Sequence, residues 1–244
     1  MDSRFEAFGT SHVVMLVLFV VAIPVVVWWG RRVRGTGGEE RSRRIVAVGI
    51  VATALPLQVL QLLPSDWDFA TSLPLQLCDL AWMVAVVGLW TRAPWAAALT
   101  YYWGLTLTTQ AMLTPALVQD FPHPRYIGFW VMHLLVVWAA IYLTVGLGIR
   151  PTWRLYALTV GLTSVWVTVV MTFNTVVDTN YGYLNAKPGT GSALDLLGPW
   201  PWYVVIEVVV VAAVWALITL PWTRTGVGHL DLPRGAEDPS SLRR

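Results

Sequence analysis

The sequence predicts an all-α polytopic transmembrane bundle of seven spans, N-terminus outside and C-terminus inside, and three observations carry that prediction. Apolar residues make up 56% of the 244-residue chain and charged residues only 12%. The apolar residues gather in runs of about 20, the length that crosses a bilayer. The basic residues, almost all arginine, fall into alternate loops, the pattern of residues retained on the cytoplasmic side.

The runs lie at about 11–29, 45–63, 72–91, 94–113, 127–148, 153–177 and 199–221, each long enough to cross ~30 Å of hydrocarbon at 1.5 Å per residue. Ahead of the first run, Asp2 and Glu6 oppose Arg4 and no small-residue cleavage pattern follows, so it reads as a retained anchor and not a signal peptide. The first loop, RRVRGTGGEERSRR, decides the orientation. Together with Arg92, Arg150, Arg154 and the C-terminal tail it holds all of the 16 basic residues except Arg4, Arg125 and Lys187. The opposite loops, PSDWDFATS, TPALVQDFPHPRY and DTNYGYLNAKPGTGSALDLLGP, are acidic, aromatic and rich in Pro and Gly. In the last, Ser192 followed by Asp195 reads as a helix start before a short amphipathic turn, Ala193 to Leu197. Pro199 or Pro201 then sits in the first turn of span seven, where a missing N–H costs little. Residues 1–222 form one transmembrane domain on this reading, and 223–244, rich in Gly, Pro and charge, a disordered cytoplasmic tail. Of the 15 Trp, those at 28, 29, 67, 90, 95, 153, 200, 202 and 222 lie near span ends, where the indole favours the headgroup zone.

The formal net charge of +2 leaves no basic field to attract nucleic acid. Cys78 is the only cysteine, which excludes an intrachain disulfide and any Cys-rich metal site. No short ligand spacing joins His12, His123 and His133, so neither a metal nor a cofactor is expected.

A titratable or amide side chain in hydrocarbon must be paired or face a cavity, and here such residues share one depth. The outer half receives His12, Gln58, Gln61, Gln76, Cys78, Asp79, Thr109, Gln110, His133, Asn174 and Glu207, while the inner halves hold almost nothing ionisable. A polar cavity opening toward the outer leaflet follows. Cys78, His133 and Glu207 all lie roughly 10 Å below the outer boundary, although depth leaves open whether their faces converge.

A thiol needs a base to attack an acyl carbon, and histidine is the usual group to take its proton. Against that, a lone cysteine is often a small buried hydrophobe, and a histidine inside a membrane is often satisfied by a neighbouring helix. His133, in WVMHLLVVW, has no polar side chain within a turn of its own helix, so a partner is expected from another span. Glu207 or Asp79 would either orient His133 as a third member or hold two helices together as a neutral acid. Gln76 and Asn174 are candidate oxyanion donors. Asn174 and Asp178, four apart, otherwise cap span six. Gln110 belongs to a hydroxyl-rich span four that interhelical hydrogen bonds explain, and Gln58 and His12 complete the supporting set.

The segments LPLQLCDLA (73–81), YYWGL (101–105), QAMLTP (110–115), FPH (121–123), His133, GIRPTW (148–153) and the NY, KP, SALDLLG and PWPWY elements of the last outer loop occur in this order. Over roughly residues 5 to 222 the chain resembles the bacterial YwaF-like integral membrane proteins and, more distantly, mammalian transmembrane protein 164. The resemblance implies seven helices, a bacterial cytoplasmic membrane and, from the mammalian relative, an acyltransferase moving a fatty acyl chain between phospholipids with a cysteine and a histidine, here Cys78 and His133.

The expected function is therefore a lipid acyltransferase or acyl hydrolase, with a membrane phospholipid or its acyl chain as substrate. Two alternatives stand beside it. One is a non-enzymatic lipid or ligand binder, either a transporter or a sensor, using the same cavity. Transport by alternating access predicts polar residues through the inner half and internal repeats, neither of which is evident. The other is metal-dependent lipid hydrolysis.

Overall fold

A computed structural model describes residues 4–65, 67–189 and 191–224. Among them the chain forms seven helical segments and no strand, only an isolated bridge between Arg4 and Gln119. They are α1 (Thr10–Val33), α2 (Gly38–Gln61), α3 (Leu77–Thr91), α4 (94–113), α5 (Pro124–Gly146), α6 (Trp153–Val177) and α7 (Trp202–Arg224). Five of these, all but α3 and α4, are long and apolar enough to cross a membrane. Their outward faces are apolar too: Val14, Val17 and Val21 of α1 and Val165 and Val169 of α6 are all exposed. A water-soluble protein would bury such faces, and the chain is a multi-pass membrane protein.

Small residues let the helices pack closely where apolar contact alone gives no preference for helix over lipid. Ala81 and Ala85 of α3, Ala96, Ala97 and Ala98 of α4 and Ala139 of α5 are all but fully buried. α1 crosses α5 at Gly30 and Gly146, so near that a Cβ on Gly30 would stand 2.7 Å from the Gly146 Cα. Both α4 and α5 widen into a π-helical turn, at Gly104–Thr108 and Tyr142–Gly146. A π turn disturbs the helical ladder, and threonine hydroxyls donate to carbonyls around both, Thr109 to Gly104 (3.1 Å) and Thr144 to Ala140 (2.7 Å).

Several boundaries differ from those the sequence predicts. α2 starts at Gly38, not near 45, so EERSRR is helix instead of loop. Its charges pair at i,i+4, Glu39 with Arg43 and Glu40 with Arg44, which supports a helical start. α3 starts at Leu77, five residues late, because the described residues between Gln61 and Leu77 form no regular helix. α6 keeps the bounds 153–177, and the 193–197 turn forms as a 3-10 helix with the Ser192/Asp195 capping box. Of the tail expected from 223, Thr223 and Arg224 belong to α7, and the rest lies outside the described residues.

The early start of α2 also buries charge at this end of the bundle. Glu39 and Arg43 are 6% and 7% exposed. Glu39 accepts the Gly35 N–H at 2.7 Å and pairs with Arg92 at 3.1 Å, while Arg43 donates to the carbonyls of Leu89 and Trp90 at the end of α3. This knot ties loop 34–37, α2 and α3 together. Replacing one partner of a buried pair leaves the other charge uncompensated, at about 3–5 kcal/mol. Glu39→Ala should therefore sharply lower the unfolding midpoint in detergent, and Arg92→Ala, whose side chain is half-exposed, should lower it far less.

Candidate functional site

At the other end of α2 and α3 a cavity of about 1120 Å³ lies between α7 and the rest of the bundle. Its polar lining includes Gln76, Cys78, Asp79, Gln110, His133 and Glu207. Gln58 lines it as well, with its amide already donating to the Ser72 carbonyl at 3.0 Å. The shared depth read from the sequence thus becomes a shared space for Cys78, His133 and Glu207.

Cys78 stands in the first turn of α3 because Gln76 and Asp79 form a capping box, in which the Asp79 carboxylate accepts the Gln76 N–H at 3.1 Å. Cys78 is the second residue of α3, and its side chain lines the cavity. Gln76 Oε1 accepts the Gly182 N–H at 2.9 Å, which ties the helix start to the loop that follows α6; its NH2 has no hydrogen-bond partner among the described residues. Trp166 of α6 donates to the Leu75 carbonyl at 3.1 Å. Tyr183, in the left-handed region with φ 55°, lines the cavity beside them, and burial and the nearby Cys78 hold its phenol above the ordinary range.

His133 is 2% exposed and finds its partner within its own helix, contrary to the sequence expectation. Its Nδ1 lies 2.7 Å from the Phe129 carbonyl, one turn back, and its ring packs on Phe129 with centroids 3.9 Å apart. A carbonyl only accepts, so Nδ1 carries the proton and Nε2 keeps the lone pair. Nε2 has no hydrogen-bond partner among the described residues. The group that orients the ring is the Phe129 carbonyl; Glu207 and Asp79, for which the sequence leaves an orienting and a helix-holding role open, line the same cavity.

His12 and Asn174 do not line the cavity, and their polar atoms are consumed elsewhere. His12 Nδ1 accepts the Phe8 N–H at 2.9 Å and Nε2 donates to the Met112 carbonyl at 2.9 Å, the opposite tautomer from His133. Asn174 Oδ1 accepts from the Thr179 hydroxyl and the Tyr181 N–H, and its Nδ2 donates to the Tyr181 carbonyl and to Asn185. It clamps the outer loop onto the end of α6. Gln110 donates to Thr114 at 2.9 Å, which commits part of its amide.

Some cavity residues have no place among those the sequence singles out. Of the six Trp not placed near span ends, Trp82, Trp103, Trp166 and Trp215 line the cavity; mid-span depth is the signal that could have found them. His123 accepts the Arg125 N–H as the N-cap of α5 and lines the cavity as well. Several lining residues are also exposed: Leu60 and Gln61 of α2, Ser164 of α6, Val210 and Val214 of α7. The cavity is therefore open and not sealed, and the exposed neighbours of Ser164 and Val210 on the same helices, Val165 and Val209, are apolar.

Asn174→Ala should strand buried donors and acceptors of the outer loop, at about 1–3 kcal/mol. A lower thermal midpoint in detergent is the expected result; an unchanged midpoint would mean the clamp holds nothing.

A sequence model of the TMEM164 family matches residues 7–219. No curated protein and no solved structure matches the chain.

Proposed function

Starting from a chain that belongs to the TMEM164 family, we propose that it is a phospholipid acyltransferase or acyl hydrolase with Cys78 as nucleophile and His133 as general base. The observation that carries this reading is the presence around one cavity of a thiol at a helix N-terminus and a histidine whose unprotonated nitrogen is uncommitted. The opening beside apolar helix surface suits an ester that arrives from the leaflet.

In the proposed reaction His133 Nε2 takes the Cys78 proton as the sulfur attacks the acyl carbonyl carbon. The oxyanion that forms is met by the Gln76 NH2 and by first-turn N–H groups of α3. The carbon–oxygen bond breaks, His133 returns its proton to the departing lysolipid oxygen, and an acyl-thioester remains on Cys78. A lysolipid hydroxyl, or water, then gives its proton to His133 and attacks the thioester, releasing the new ester or the free acid and restoring the thiol. Asn174, taken up by the outer loop, has no part in it.

Incubation with a phospholipid bearing an alkyne-tagged acyl chain should leave a hydroxylamine-labile label on the protein. Cys78→Ser should abolish it, and His133→Ala should slow its formation by about 10²–10⁴-fold, the usual weight of a general base. Equal labelling of wild type and Cys78→Ser would remove the nucleophile. A binder would need only the cavity and its opening, and label-free lipid retention by both proteins would favour that reading.

The proposal includes seven spans with the N-terminus outside, in a bacterial cytoplasmic membrane. An odd number of helical segments supports termini on opposite sides, and the distribution of arginine supports the orientation. In a Cys78→Ser background, an impermeant maleimide added to intact cells should label Gly189→Cys and spare Gly37→Cys. The reverse pattern would invert the topology and with it the leaflet that supplies the substrate.

A further inference from the structure

The cavity does not end at the level of Cys78 and His133. On α3 and α5 its lining stops at Trp82 and His133, but on α4, α6 and α7 it continues to Trp103, Val160 and Trp215. Along α7 the lining is polar at Glu207 and apolar at every lining position from Val208 to Trp215, a depth of roughly 12 Å at 1.5 Å per residue. The deep part is thus a largely apolar limb beneath a polar chamber. Its walls carry Trp103, Val160, Val208 and Val211 together with Thr106 and Thr163, whose hydroxyls are engaged by indole N–H groups, and its charged or titratable rim is the Cys78–His133 level.

The bottom of the limb is built of bonded groups. Trp215 is 1% exposed and donates through Nε1 to the Thr106 hydroxyl at 2.9 Å. Thr106 donates in turn to the Tyr102 carbonyl at 2.6 Å, and the fully buried Tyr102 ring packs on Trp215 with centroids 5.5 Å apart. The Tyr102 hydroxyl meets Thr219 at 2.7 Å, and Thr219 donates to the Trp215 carbonyl. Trp103 is fixed likewise, its Nε1 donating to Thr163 of α6 at 2.9 Å. An indole held on its edge by a hydrogen bond and on its face by another ring cannot swing aside without leaving buried polar groups unpaired.

We infer that this limb takes a single unbranched acyl chain of a membrane phospholipid, and that Trp215 is the stop that sets how long a chain fits. This rests on the reading of Cys78 and His133 as the place where the chain's ester is handled, because the ester must stay at the polar rim while the tail descends. The opening supplies the occupant: Ser164, Val210 and Val214 line the cavity and are exposed beside the apolar Val165 and Val209, where lipid tails are the neighbours. For a lysolipid presented as a monomer from water, each methylene that enters the limb adds roughly fourfold to affinity, the equivalent of ~0.8 kcal/mol, until the terminal methyl meets the indole. Longer chains must then buckle or stay outside, and the gain stops. Trp215 would be a specificity-determining residue with no part in the bond-making steps.

The test uses Cys78→Ser protein, so that binding is read without turnover. Native mass spectrometry measures the bound fraction for a series of lysophosphatidylcholines that differ by two methylenes, with the matching free fatty acids run beside them. Affinity should rise with chain length and break to a plateau. Trp215→Ala should move the break to longer chains, and Val211→Trp, which fills the limb from its side wall, should move it to shorter ones. If one variant fails to fold, the shift or constancy of the break in the other still decides the matter. A break at the same length in wild type and in a folded variant overturns the stop, and so does binding with no dependence on chain length. Retention of the free acids but not the lysolipids would overturn the phospholipid as the source. Failure of Cys78 to form a thioester leaves these measurements untouched, so the two readings fail separately.

Discussion

Among the described residues α7 is hydrogen-bonded to α4 at one end only, and the cavity opens where those bonds stop. At that end Tyr101 donates to the Ile218 carbonyl, Tyr102 meets Thr219, Trp215 donates to Thr106 and Trp222 donates to Tyr101. Above it α7 leans on α6 and on the 193–197 turn, and Tyr203 reaches the Tyr183 carbonyl in the outer loop. Inside a bilayer, apolar helix faces gain little by touching each other instead of lipid tails, so directed bonds decide which helices stay together. Where those bonds stop, α7 stands away from α4, and the gap opens beside Cys78 and His133.

The polar residues of the outer half divide by how much of their bonding capacity is already spent. His12 and Asn174 are used up: each available atom has a partner in a loop or a backbone carbonyl. His133 and Gln76 are half spent, each oriented by one bond and left with one group facing ligand space. That half-spent state is what a reactive site needs, since a group with no bond wanders and a group with all its bonds does nothing else. The first kind builds the frame of the mouth, and the second forms its working surface.

Much of the fold was legible from apolar run length, which gave α4 and α6 their bounds. The start of α2 was not, because a dense run of charge reads as loop; the i,i+4 spacing of Glu39 with Arg43 and Glu40 with Arg44 was the competing signal. Depth was legible as well, since it follows from counting residues along a span, and it brought Cys78, His133 and Glu207 to one level. Azimuth was not. His12 and His133 look alike in sequence because what separates them is a backbone carbonyl, which every residue carries. The family was legible from the ordered segments around Cys78 and in the last outer loop. The apolar limb was hidden because mid-span Trp residues have no period of their own and read as ordinary bulk.

The bond from Gly182 to Gln76 has a consequence for anyone exchanging parts between relatives. It makes the loop around Tyr181–Tyr183 and the opening turn of α3 a single mechanical unit, although more than 100 positions separate them in the chain. A chimera that imports a foreign loop while keeping Gln76 would free an amide oxygen at the start of α3, and the surroundings of Cys78 would change without a single substitution near it. Graft boundaries should therefore be drawn so that both halves of this contact travel together.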